Sequence, residues 1–153
     1  MKARLNNPAM IIPEAMEAIK MFAGVSYKGG VDPKLLALIH LRVSQINGCG
    51  FCVDTGWRHA TKAGETHERL YTVAAFRDTP YFSEAERAAL ALAEHATRLA
   101  DQTDAVPDAV WNEAAKHFSE RQLAGILLHI AVTNVFNRLN VPIRQPAAGE
   151  WKG

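Results

Sequence analysis

Leu35-Leu36-Ala37-Leu38-Ile39-His40-Leu41-Arg42-Val43-Ser44 is the stretch whose reading decides the fold class. Its apolar residues lie on most sides of a helix rather than in one stripe, the pattern of a central and largely buried helix. Asp32 stands where an N-cap belongs, with Pro33 at the first helical position. Asn47-Gly48 breaks the helix, and Cys49-Gly50-Phe51-Cys52 follows at once, opening another that ends near Gly64, a C-cap candidate.

Working outward, helical spacing recurs and no convincing strand is found. Pro13 to Ala23 carries Ala15, Ile19 and Phe22 on one face, and Ser26 to Val31, with Gly29-Gly30, reads as a loop. A short helix is expected over roughly Thr66 to Phe76, followed by a turn at Asp78-Thr79-Pro80. Ser83 and Glu86 have capping-box spacing and start an Ala-rich helix to about Ala100. Pro107 opens a helix ending around His117. Ser119 and Gln122 form a second capping box, for a helix to about Asn140, and Pro142 and the Pro146/Gly149 tail stop further order. The expected architecture is all-α, with six or seven helices in one domain over residues 1–153.

Of the 153 residues, 48% are hydrophobic and 22% charged, ordinary values for a folded chain. A formal net charge of +1 supplies no field to recruit nucleic acid or an anionic membrane. The apolar runs are too short to span a bilayer, and Met1 to Pro8 lacks a signal-peptide core, so a cytoplasmic location is expected.

The only two cysteines are three positions apart. A bridge between them would close a tiny loop and constrain the unfolded chain little. A structural zinc site normally needs four ligands, and no second CxxC or HxxxH exists; neither a metal nor a cofactor is expected. At a helix N-terminus a thiolate meets unpaired N–H groups and the positive end of the dipole, which lowers its pKa. Redox cycling between dithiol and disulfide is therefore the favoured reading, against an inert buried pair or half a metal site.

The run Leu38-Ile39-His40-Leu41-Arg42-Val43-Ser44-Gln45-Ile46-Asn47-Gly48-Cys49-Gly50-Phe51-Cys52-Val53-Asp54 resembles the AhpD-like alkylhydroperoxidases of the carboxymuconolactone decarboxylase family. Met1 to Leu5, Pro80 to Ala91 and Asn134-Val135-Phe136-Asn137-Arg138-Leu139 are also similar to family segments. The resemblance implies an all-α fold with the CxxC at the N-terminus of a core helix, and a homo-oligomer, commonly a trimer or hexamer. It implies that Cys52 attacks a small-molecule hydroperoxide, that Cys49 resolves the sulfenic acid, and that a dithiol or lipoyl protein restores the pair. Helix-dipole reasoning alone favours Cys49 as the more acidic thiol, so this order of roles rests on the resemblance.

Two positions depart from the family pattern. The best-studied members place a Glu twelve residues before the first Cys and a His four residues after the second; here these are Ala37 and Gly56. Neither can carry a proton. His40 lies on about the same helix face as Ala37 and is the candidate substitute relay. His59, two turns beyond Cys52, is the second candidate, reaching the thiol only through a bridging water. Both also have a bland reading, as a partly buried helix residue and a surface residue. Trp57 and Phe51 flank the CxxC and are read as pocket lining or packing. Asp54 is read as bonding a backbone N–H in the first helical turn or as lowering thiol acidity by like-charge repulsion, and Arg42 and Arg138 as ion-pair or interface residues. His95, His117 and His129 default to structural or surface roles. The leading function is a thiol-dependent hydroperoxidase in antioxidant defence. The alternatives are a redox-sensing helical oligomer with little or no turnover, and the lactone-decarboxylase branch of the family. The helices Glu84 to Ala100 and Arg121 to Asn140 are the expected subunit interfaces.

Overall fold

The computed structural model describes residues 1–147, Asp101 by its backbone only; Gly149 of the expected tail lies outside that range. Asp32 caps the helix at the centre of the fold by accepting from the Lys34 N–H at 2.9 Å. This helix, α3 (Pro33–Ile46), buries Leu36, Leu38, Ile39 and Val43 completely. Helices α4 (Gly50–Lys62), α6 (Glu84–Thr97) and α8 (Glu120–Asn140) pack around it. Its near-complete burial follows from having partners on three sides.

The remaining helices complete the shell. They are α1 (Pro8–Ile11), α2 (Pro13–Ser26), α5 (His67–Thr72) and α7 (Asp108–His117). Among the described residues there are eight α-helices and no strand, so the all-α expectation holds with one helix more than foreseen. The addition is α1, a four-residue helix capped by the Asn7 side chain, with Pro8 at its start. A single turn has no apolar period for a sequence reading to detect. Both capping boxes form as expected, at Ser83/Glu86 and Ser119/Gln122.

Three other segments differ from the sequence reading. The expected loop after Ser26 is a 3-10 turn at Tyr27–Gly29. The expected helix to Phe76 is α5 followed by a 3-10 segment, Val73–Asp78, which buries Val73 and Phe76. The segment is kinked at Ala75 (φ −116°, ψ 31°), and Val73 and Phe76 on either side of the kink turn into the core. Helix α6 stops at Thr97, before the expected Ala100, and a 3-10 turn at Leu99–Asp101 follows.

The two helices expected at subunit interfaces bury their apolar residues largely within the chain, including Leu90 and Leu92 of α6 and Ile126 and Ile130 of α8. Exposed large apolar side chains gather instead on the first two helices and the turn after them, at Met10, Ile11, Ile12, Met21, Val25 and Tyr27. No helix among the described residues is long and apolar enough to cross a membrane.

One backbone approach locks the 3-10 turn to α8. A Cβ added at Gly29 would lie 2.7 Å from the Gly125 Cα, and one at Gly125 would lie 2.9 Å from the Gly29 Cα. Backbone cannot yield as a side chain can, so Gly125→Ala is expected to cost about 1–3 kcal/mol, the range for overpacking. A lowered urea midpoint with an unchanged m-value would check this.

Candidate active site

The turn between α3 and α4 aims the cysteines. Gly48 takes the left-handed conformation, φ +65°, which reverses the chain at little steric cost. Asn47 Nδ2 donates to the side-chain oxygens of Asn134 (3.0 Å) and Asn137 (2.8 Å), and Asn137 Nδ2 donates to Ser44 Oγ (3.2 Å). The turn is thereby fastened to α8. Cys49 becomes the N-cap of α4, its Sγ accepting from the Cys52 N–H at 3.3 Å. The two cysteines form a disulfide and are almost fully buried.

Cys52 lines a cavity of about 400 Å³ between α2, α3, α4 and α8. Its walls are mainly apolar, with Phe51, Val132 and Phe136 among them. The polar side chains reaching it are His40, Thr55, His59, His129, Thr133, Asn140 and Tyr27. No guanidinium, ammonium or carboxylate group is among the lining residues. No cluster of three His, Cys, Asp or Glu side chains among the described residues could hold a metal ion.

The structure brings His40 to the cysteine turn. A Cβ on Gly56 would lie 2.7 Å from His40 Cδ2, so the imidazole occupies the space a side chain at Gly56 would need. Ala37 and Gly56, the two departures from the family pattern, both line the cavity, and His40 fills the volume beside Gly56. His40 Nε2 lies 3.3 Å from the Cys52 carbonyl oxygen, and Nδ1 lies 3.4 Å from Thr133 Oγ1. The carbonyl can only accept, so Nε2 carries the proton. The Thr133 hydroxyl can donate to Nδ1, or to the His129 carbonyl at 2.8 Å. Once it turns to that carbonyl its oxygen can accept from Nδ1–H, so an imidazolium at His40 would find acceptors for both N–H groups. Burial lowers the pKa of His40 most strongly; the bond to Cys52 opposes this, and the nearby His59 adds to it.

His59 stands exposed at the cavity's edge. The sequence reading gives His129 a structural or surface role, yet the residue is buried and lines the cavity. Its Nδ1 is 3.1 Å from Ser26 Oγ, and the ring centroid is 6.4 Å from that of His40. Burial, then the charge of a protonated His40, lower its pKa to about 4, against a raising contribution from the Leu36 carbonyl. Of the other residues singled out, Phe51 lines the cavity while Trp57 packs against the main core. Asp54 pairs with Arg58, Arg42 with Glu94, and Arg138 donates to Asn134 Oδ1. His95 Nδ1 lies 3.1 Å from the Ala105 carbonyl oxygen, and His117 lies 3.4 Å from Glu113.

Sequence reasoning misses His129, Thr133, Phe136 and Asn140 as a site. They recur at helical spacing along one stripe of α8, where a polar residue on a buried face is the available signal.

The sequence model described as the carboxymuconolactone decarboxylase family matches residues 13–95. The chain belongs to this family. It is 33% identical over 140 residues to the uncharacterised protein YdfG of Bacillus subtilis strain 168, covering 92% of this chain and 94% of YdfG. ATU0492 of Agrobacterium tumefaciens is a protein of unknown function, provisionally assigned to antioxidant defence as AhpD. Its crystal structure superposes with a TM-score of 0.89 at 32% identity, covering 97% of this chain and all of that one. The debrominase Bmp8, with 2,3,4-tribromopyrrole bound, shares the fold at 22% identity and a TM-score of 0.79, over 90% of this chain and 72% of Bmp8. The family match and these superpositions agree with the all-α, AhpD-like fold expected from the CxxC segment.

The buried imidazoles make stability depend on pH. The folded state disfavours protonation of His129, so between about pH 6.5 and 4 the unfolded chain binds more protons. Stability is therefore full above that window and falls as pH drops through it. The loss expected from His129 is on the order of 3 kcal/mol, at about 1.36 kcal/mol for each pH unit that the window spans. Urea unfolding at several pH values should show this decline, with a shallower one in His129→Gln.

Proposed function

We propose that the protein is a thiol-dependent hydroperoxidase in which Cys52 attacks and Cys49 resolves. The observation that carries this reading is the disulfide-forming pair at the start of α4, set against a mainly apolar cavity into which His40 also projects. The AhpD-like neighbour supports the same antioxidant role. In the first step His40 takes the Cys52 thiol proton at Nδ1. The thiolate attacks the terminal oxygen of a hydroperoxide, an S–O bond forms and the O–O bond breaks. Sulfur is oxidised by two electrons to the sulfenic acid, and the alkoxide leaves with the proton returned by His40. The Cys49 thiol then displaces water from the sulfenic sulfur, forming the disulfide. An external dithiol, such as a lipoyl group, restores both thiols and is itself oxidised to its disulfide.

The cavity suits an uncharged organic hydroperoxide, because its lining offers apolar surface and no charged partner for a carboxylate or phosphate. The same lining counts against the lactone-decarboxylase alternative, which needs an anion-binding group. Self-association is part of the proposal. The exposed apolar side chains of α1 and α2 support it, and a solution mass equal to one chain would remove it.

The test mixes reduced protein with cumene hydroperoxide and follows free thiol. The wild type should lose two thiols rapidly, Cys49→Ser should hold a trappable sulfenic acid at Cys52, and Cys52→Ser should be inert. Oxidation no faster than free cysteine would overturn the reading. His40→Ala should slow the first step by roughly 100-fold, the low end of acid–base contributions. Gly56→Ala should slow it too, since the added Cβ collides with the His40 ring.

A further inference from the structure

A chain of buried amides ends on the Cys52 sulfur. Its direction is set at the far end by a backbone group that can only donate. The Ala9 N–H donates to Asn7 Oδ1 at 2.9 Å, capping α1. This fixes the Asn7 amide: its oxygen faces α1 and its NH2 faces away. Asn7 Nδ2 then donates to Asn140 Oδ1 at 2.8 Å. With its oxygen so engaged, Asn140 must turn its own NH2 the other way, where Nδ2 lies 3.5 Å from Cys52 Sγ. Both amides are more than nine-tenths buried, Asn7 at 7% and Asn140 at 3% exposure. Buried amides are held to their hydrogen-bonding pattern, because a flipped one would set oxygen against oxygen without water to compensate.

The N-terminal segment is pinned where this chain requires it. The Arg4 N–H donates to the Ile143 carbonyl at 2.8 Å, and the Arg4 guanidinium donates to the Pro142 carbonyl at 3.1 Å. Residues 4 to 9 are thus tied to the C-terminal end of α8 and the residues just after it.

We propose that Asn140 is a catalytic residue that stabilises the Cys52 thiolate formed on loss of the thiol proton, through an N–H donor aimed at its sulfur, and that Asn7 is the positioning residue that orients it. This rests on the reading of Cys52 as the attacking thiol and supplies a reason for it. The backbone at the start of α4 donates to Cys49 Sγ, so dipole and cap alone favour Cys49. The Asn140 amide gives Cys52 a donor of its own, and hydrogen bonds to a charged acceptor are the stronger ones. The fold thereby brings a residue near the start of the chain, through one intermediary, into the chemistry of a turn more than forty residues away.

The titratable groups around Cys52 are Cys49 on the same turn, His40 of α3, His59 of α4, His129 of α8 and Tyr27 across the cavity. Asp54, on the next turn of α4, is engaged by Arg58. Helix α1 contributes none. Substituting Asn7 alters none of these groups.

The experiment uses the full chain with Cys49→Ser, leaving Cys52 the only thiol, and measures iodoacetamide alkylation against pH. Asn7→Asp keeps the oxygen that caps Ala9 but can no longer donate to Asn140, so the Asn140 amide turns and presents its oxygen to the sulfur. The alkylation midpoint should rise by roughly one pH unit or more, a tenfold change in the thiol equilibrium. Asn7→Ser, a good N-cap without charge, should shift it the same way by a smaller amount. Asn140→Ala should shift it without involving Asn7. A shift in Asn7→Asp alone would assign the effect to the added charge and overturn the proposal, as would unchanged midpoints in all three variants. Thermal midpoints separate a folding defect from the expected effect, because a purely structural role would lower them without moving the alkylation midpoint in the folded protein. Alkylation needs no hydroperoxide. Asn7-dependent midpoints in a protein inert to cumene hydroperoxide would sink the peroxidase reading and leave standing only the control of the Cys52 thiol by Asn7 and Asn140.

Discussion

The arrangement of the cysteine site depends on a single turn. Helix α3 is held by partners on three sides and cannot shift, so its C-terminal end is a fixed point from which the chain must reverse. Gly48 makes the reversal in the left-handed conformation, and Asn47, tied to Asn134 and Asn137, fastens it to α8. Cys49 is thereby the N-cap of α4, and Cys52 one turn later faces the cavity. Everything proposed about the chemistry follows from those two positions. A thiol farther along α4 could still face the cavity, as Thr55 does, but would lack the unpaired N–H groups of the helix start.

The electrostatic character of that cavity bears on the proposed proton transfer. Its polar groups are imidazoles, amides and hydroxyls, with no formal charge to anchor a substrate. Burial keeps His40 and His129 biased toward their neutral forms at neutral pH. A neutral imidazole is the form that can accept a thiol proton, and two acceptors wait for the imidazolium, at the Cys52 carbonyl and the Thr133 hydroxyl. The bare Gly56 and the position of the His40 ring are thus connected. The absence of a side chain at Gly56 makes room for the ring on α3.

Much of this was legible in the residues. The all-round apolar pattern of 35–44, the Asp32-Pro33 start, the Asn47-Gly48 break and both capping boxes are local signals, and each appears where the sequence places it. His40 could be singled out because helical periodicity ties it to Ala37, and the structure sets it against the cysteine turn. His129, Thr133 and Asn140 escaped notice because a stripe on one helix does not say which helix it faces. Asn7 escaped for a stronger reason. It lies in an irregular segment with no period at all, and its meaning comes from a hydrogen bond to a residue 133 positions away.

By itself, then, the sequence determined the helices, their ends and the presence of a dithiol at a helix start, since each depends on side chains within a few residues of one another. Only the tertiary structure decided which imidazole occupies the empty volume at Gly56, which amide faces which sulfur and where the cavity opens. Those outcomes depend on how α3, α4, α8 and the N-terminal segment pack together. Packing is settled by the shape and polarity of whole faces, which no local pattern encodes.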